Sequence, residues 1–206
     1  ENFIDPYDRG FDVSEWLGRG GFLPVPLIIT EPAVDNGAGV ALAFIDGEEG
    51  AGRPPNISAL AAAMTGNDSK VYAGFHEGYY LDDRLRFSAV AAKTDLNLNF
   101  FVGDSDRPYG YKLDGGFARM TARGRLGRSN WFAGGSLTYA DTEVAFQGSG
   151  ALPPGLPPLG FQTTLASVGA ILDYESLDNT LSPTSGISAR LEADFQSEEL
   201  GSDYDF

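Results

Sequence analysis

The chain has 206 residues, enough for one domain with a sizeable core, and a formal net charge of −15. Such a polyanion repels nucleic acid, and the lack of cysteine removes disulfides, zinc–thiolate sites, iron–sulfur clusters and cysteine nucleophiles together. Gly (27), Phe (14) and Tyr (9) are frequent, and the 42% apolar content never runs near the ~18 consecutive residues that a spanning helix needs.

Residues 1–30 read as an N-terminal extension and residues 31–206 as one β domain. Asp12-Val-Ser-Glu15 is a capping box, with Asp12 able to accept the Glu15 amide and Glu15 able to reach back. It predicts a short amphipathic helix over Val13–Leu17, ended by Gly18. The following Phe22-Leu-Pro-Val-Pro-Leu is too proline-rich for a central strand and is expected to be extended.

From Gly37 the pattern becomes strand, turn, strand. Ala38, Val40, Leu42 and Phe44 share one face of the first segment. Ile57–Thr65, Lys70–Tyr80, Arg84–Val102, Tyr109–Leu126, Trp131–Phe146, Thr163–Glu175 and Ile187–Gln196 follow, separated by Gly-, Asn- and Asp-rich turns. Residues 46–56 and 147–162 are the two long connections. No helical pattern of ten residues intervenes, so the crossovers of a parallel sheet are absent and an antiparallel meander is expected. In Arg84–Val102 the apolar phase switches between Ala89 and Val90, which a bulge or a hidden turn would explain. With eight strands the long connections fall at opposite ends, whereas membrane barrels keep long loops on one side.

Trp131–Phe146 has sixteen residues against a usual five or six, the length of a strand that crosses a fixed thickness. Trp131 and Tyr139 lie on one face of it. Their eight-residue separation is roughly 20 Å along a tilted barrel axis, close to the spacing of two aromatic girdles at the membrane interfaces. Tyr79, Tyr80, Phe100, Phe101, Tyr109 and Tyr111, at the ends of neighbouring strands, extend that pattern.

The second face carries charge. Ala118, Met120, Ala122 and Leu126 alternate with Arg119, Thr121, Arg123 and Arg125. Ile187, Ala189, Leu191, Ala193 and Phe195 alternate with Ser188, Arg190, Glu192 and Asp194. A polar barrel interior demands this alternation, which makes Arg119, Arg123, Arg125, Arg190, Glu192 and Asp194 the candidate lumen-lining residues. A soluble sheet with its charged face in water satisfies the same pattern.

His76 is the sole histidine and the only base available to a serine hydrolase. Tyr72, Gly74 and Gly78 beside it predict a position on the polar face, where a lumen-lining role outweighs catalysis. No His/Cys cluster offers metal spacing, and Asp104-Ser-Asp106 lacks the later Gly and Glu of a calcium loop. No cofactor is expected.

Asp173-Tyr-Glu-Ser-Leu-Asp-Asn-Thr-Leu-Ser-Pro-Thr-Ser-Gly, with Pro183, Thr184 and Gly186 in the turn, resembles the strand-and-turn motif of the BamA/TamA-like surface-antigen superfamily of bacterial outer-membrane β-barrels. Gly20–Val34 with Gly37-Ala-Gly, and Arg125–Gly135, are similar to short members without periplasmic receptor domains. The resemblance implies an all-β, antiparallel transmembrane β-barrel in the bacterial outer membrane, with about eight strands in this chain. It implies a non-enzymatic scaffold or pore in outer-membrane biogenesis or in protein or lipid export. Its partners would be outer-membrane lipid and other outer-membrane or periplasmic proteins. The family's later Val-Arg-Gly-Phe loop is absent from the sequence, which weighs against insertase activity. Family members continue for several strands after the Pro-Thr-x-Gly turn, so the chain is expected to be part of a larger barrel. The closing Glu199–Phe206 also fits the end of a complete eight-strand barrel. A membrane-embedded hydrolase using His76 and a soluble secreted β-sheet binding protein are the alternative readings.

Overall fold

The computed structural model describes residues 21–47, 54–100, 109–147, 160–178 and 183–203. They form one antiparallel sheet in which each strand pairs with the next: β1 (Phe22–Ile29), β2 (Gly37–Asp46), β3 (Asn56–Thr65), β4 (Lys70–Tyr80), β5 (Leu85–Phe100), β6 (Tyr109–Arg125), β7 (Trp131–Phe146), β8 (Gly160–Glu175) and β9 (Ser188–Gln196). A 3-10 turn follows at Glu198–Leu200. β1 and β9 do not pair with each other, so among the described residues the sheet is open, not a closed barrel. The helix expected over Val13–Leu17 lies outside the described residues.

The eight strands expected after Gly37 are β2 to β9, and β1 is a ninth. Its prolines explain its place at the edge. The Ile45 amide donates to Gly21 O, so alternate residues from Gly21 onward turn their polar backbone groups toward β2. Pro24 and Pro26 fall on the other phase and lack N–H groups only along the free edge, where no ladder bond is lost.

β5 corrects the expected bulge. It pairs one-to-one with β6 from Leu85↔Gly124 to Phe100↔Tyr109, with no hidden turn. The apolar phase switches because the two faces change character at different heights. Leu85, Phe87, Ala89 and Ala91 share one face, and Lys93, Asp95 and Asn97 continue it. The other face starts with Arg86 and Ser88 and becomes apolar at Val90 and Ala92. The long connections 47–55 and 147–159 still leave opposite ends of the sheet.

Cross-strand register assigns every residue to a face, because paired residues point the same way. The row Phe44–Ser58–His76–Ala89–Met120–Leu137–Val168–Phe195 crosses eight strands on one face. The opposite face carries Glu77, Arg86, Ser88, Arg119, Thr121, Arg123, Ser136, Ser167, Asp173, Arg190, Glu192 and Asp194 on β4–β9. On β2–β3 that second face is lined by small residues, with Ala41 opposite Ala61 and Ala43 opposite Ala59.

Burial is inverted relative to an ordinary core. Leu60, Leu137 and Leu191 on the first face are 62%, 54% and 69% exposed, whereas Arg86, Arg123 and Asp173 on the second are 5%, 6% and 6% exposed. Large apolar side chains normally fill the inside, and Arg and Asp are almost never buried unless paired.

The exposed apolar face is bounded on one side by charge, and the boundary runs coherently over adjacent strands. Tyr139, Ala118 and Ala91 form one row, and Asp141, Gly116, Lys93 and Tyr72 the next. Glu143, Asp114, Asp95 and Lys70 follow, tied by the Lys93–Asp114 and Lys112–Asp95 ion pairs. In that last row β3, β2 and β1 still present Met64, Ala38 and Ile28. The limit therefore climbs four residues between β7 and β3, about 13 Å along the strands over about 19 Å across them, a slope of roughly 35°.

Candidate functional site

The buried charges are brought together by curvature. Arg86 on β5 donates to Glu175 on β8 at 2.9 and 3.0 Å, and Arg119 on β6 pairs with Glu192 on β9. Each contact spans three strand spacings, about 14 Å on a flat sheet. The side chains meet because the sheet curls with its polar face inward.

Next to the β4–β5 turn, Arg86 donates Nε and Nη2 to the Asp83 carboxylate at 2.7 and 2.9 Å and its other fork to Glu175. Asp83 is set by the turn, in which Leu81, Asp82 and Asp83 all have left-handed backbones (φ 54°, 55° and 59°). Asp tolerates that region better than most residues, and Leu81 does not. The Arg86 guanidinium lies over the Phe132 ring at 4.0 Å and Arg125 over the same ring at 4.3 Å, while Arg125 also bonds Asp83. Phe132 is 1% exposed, so both cation–π contacts are desolvated.

Deeper along the face, Arg123 donates to Asp173 at 2.8 Å and reaches Glu77 at 3.4 Å. Arg190 forks onto the same Asp173 carboxylate at 2.8 and 3.0 Å. Gly134 lies opposite Arg123, and a Cβ there would come within 2.7 Å of the Arg123 Cα, so only glycine permits this approach of β6 and β7. The third group is more open: Arg119 donates to Thr138 at 2.6 Å and pairs with Glu192, and Ser136 Oγ donates to Glu192 and Asp194 at 3.2 and 3.1 Å.

In the first two groups Arg86, Arg125, Arg123 and Arg190 face Asp83, Glu175, Asp173 and Glu77, cation for anion. Matched, forked pairs of this kind repay much of their desolvation, and they leave no net charge to hold a free ion. Chemically the network is a tie between strands that are not neighbours.

All six charged residues singled out from alternation (Arg119, Arg123, Arg125, Arg190, Glu192 and Asp194) lie on this face and belong to the network. Sequence reasoning missed Glu77, Asp83, Arg86, Asp173, Glu175 and Phe132. Arg86 and Glu77 carry the alternation signal, but Asp83 reads as a turn residue, and nothing in the sequence pairs β5 with β8.

Trp131 and Tyr139 are on the exposed apolar face, and Trp131 packs edge-on against Tyr174 at 5.1 Å. Tyr79 and Tyr111 depart from the expected aromatic rim. Both sit on the opposite face and are buried, Tyr79 beside Arg86 and Tyr111 against Phe146. The Pro183–Gly186 turn is self-bonded: the Asp178 carboxylate accepts the Thr184 and Ser185 amides at 3.0 and 3.2 Å and the Thr184 hydroxyl. Gly186 has φ +110°, which excludes a side chain. The motif builds the β8–β9 connection.

His76 overturns its expected position. It pairs with Ala89 and shares the apolar face with Phe87 and Met120. The glycines that suggested a polar face are gaps in the apolar one: Gly74 lies opposite Ala91 and Gly78 opposite Phe87. Ser58 Oγ is 2.8 Å from His76 Nδ1, and the Tyr80 hydroxyl is 2.7 Å from Nε2.

Among the described residues no group of three or more His, Cys, Asp or Glu side chains is arranged to hold a metal ion. Residues 104–106 lie outside them. Comparison with protein-family models, curated proteins and solved structures found no match.

Proposed function

We propose that this chain forms the wall of a β-barrel in the bacterial outer membrane and serves as a scaffold or pore in outer-membrane biogenesis or in protein or lipid export. The inverted burial carries the reading. A face of exposed Leu, Met, Phe and Tyr backed by a concave face of buried ion pairs is costly in water and favourable in lipid. The 35° slope of the apolar band supports it, because strands in membrane barrels tilt by about 35–45°. The paired charges Lys93–Asp114 and Lys112–Asp95, at the limit of the band on β5 and β6, suit the step from hydrocarbon to headgroups. A barrel requires the β1 edge to join the β9 edge, directly or through further strands.

Within that reading, the matched network near the β4–β5 turn favours a scaffold over an open conduit. It fills the concave side there with Phe132, Arg86 and Tyr79. The resemblance of the Pro183–Gly186 segment to the surface-antigen superfamily supplies the biogenesis or export role. The test is extraction and gel mobility. A membrane barrel needs detergent to leave the membrane fraction and migrates differently before and after boiling. Free solubility without detergent would instead support a soluble sheet that binds a partner on its apolar face.

A further inference from the structure

We propose that Ser58, His76, Tyr80 and Asn56 form an acyl-ester hydrolase site on the apolar face, acting on lipid esters with water as the final acyl acceptor. Ser58 on β3 and His76 on β4 are register partners, and their side chains meet at 2.8 Å. The ring is held from its other side as well. Tyr80 lies along its own strand to reach Nε2 at 2.7 Å, which Gly78 permits, since a Cβ there would sit 2.6 Å from the Tyr80 ring. Phe87 packs against the imidazole with centroids 6.0 Å apart. When Nε2–H donates to the Tyr80 oxygen, Nδ1 is left free to accept the Ser58 proton, which is the tautomer a general base needs.

Asn56 precedes Ser58 by two residues on the same face of β3. Its Oδ1 accepts the Tyr79 amide at 2.7 Å, which fixes the side-chain flip and leaves the NH2 group as a donor. Leu60, Tyr72 and Leu85 around the site are exposed and offer an acyl chain an apolar bed. An ionisable group on a lipid-contacting surface is retained for a purpose more often than for stability.

The steps balance. Ser58 Oγ attacks the ester carbonyl carbon while His76 Nδ1 takes its proton. The carbonyl electron pair moves to oxygen, which accepts from Asn56 Nδ2. Collapse expels the alcohol, which takes the proton from His76. Water, deprotonated by His76, then attacks the acyl-Ser58 carbonyl, and the carboxylic acid leaves as Ser58 regains its proton. The site uses only β3 and β4 with Phe87, so it does not depend on barrel closure.

The full chain in detergent micelles is treated with a fluorophosphonate probe, and the labelled peptide is mapped. Hydrolysis of p-nitrophenyl octanoate is measured in parallel, along with fatty-acid release from phosphatidylethanolamine vesicles. Label on Ser58 and at least about a 100-fold loss of hydrolysis in Ser58→Ala and His76→Ala are expected. Asn56→Ala is expected to lower kcat about 100-fold with little change in KM. His76→Gln keeps a hydrogen-bonding partner for Ser58 and is expected to fold and be inactive, and Ser88→Ala on the opposite face to react as wild type. A folded wild type that takes no label and hydrolyses neither substrate overturns the proposal, as does activity that survives in folded Ser58→Ala. Strand content and unheated gel mobility, recorded on the same samples, report separately on the barrel reading.

Discussion

Replacing Arg86 with Met removes one guanidinium that joins β5 to β8 while keeping most of its apolar stem. Arg86 is 5% exposed and makes four hydrogen bonds to Asp83 and Glu175. Asp83 keeps Arg125 as a partner, so the main cost falls on the largely buried Glu175 carboxylate, which loses both of its bonds to Arg86. Breaking a buried pair in this way costs about 3–5 kcal/mol. The lost stacking on Phe132 adds about 1 kcal/mol. Arg86→Lys keeps the charge but cannot fork to two carboxylates, and is expected to cost about 1–3 kcal/mol. The assay is urea unfolding in detergent micelles, followed by Trp fluorescence and by the loss of the fast-migrating gel band. Glu175→Gln in the Arg86→Met background should recover part of the loss, because a neutral amide costs less to bury than a carboxylate that has lost the Arg86 cation. A loss below about 1 kcal/mol in Arg86→Met, or no recovery in the double variant, would refute the argument that this pair holds the curvature.

Leu137→Arg places a cation on the exposed apolar face, and in lipid it is expected to cost about 2–4 kcal/mol, falling toward zero for the same change at Glu143; equal, negligible costs at both sites would mean that the face meets water. Gly134→Ala is expected to destabilise strongly in the same unfolding assay, since its Cβ would press on the Arg123 backbone, whereas Gly74→Ala meets only the Leu60 Cδ2 at 3.4 Å and should be tolerated. Asp178→Ala removes the acceptor for the Thr184 and Ser185 amides and should cost about 1 kcal/mol, read as faster protease cleavage between Ser176 and Ile187.

The sequence was informative about strands and their faces, and less so about what the faces touch. The limits of Lys70–Tyr80 and Trp131–Phe146 are legible in the sequence because a period of two ends where Gly, Asn and Asp turns begin. Arg119, Arg123 and Arg125 alternate with Ala118, Met120 and Ala122, so their common face was legible without any partner strand. β5 misled because both of its faces change polarity partway along, which in one dimension looks like a slip of phase. His76 misled for a related reason. Its neighbours Gly74 and Gly78 have no side chain to declare a face, and only Ala89, Phe87 and Ala91 across the ladder identify it.

The alternation in β2–β9 is a local property, fixed by backbone geometry that turns successive side chains to opposite sides, and so the chain alone determined an antiparallel all-β meander with one apolar and one charged face. The tertiary structure decided the rest. Register brought Ser58 to His76 from eighteen residues away, and curvature brought Arg86 to Glu175 across three strand spacings and eighty-nine residues. It also decided which face is buried, because curling the sheet shields its concave side whatever residues line it. Here that side holds the charges, and the Leu, Met and Tyr side chains are left outside.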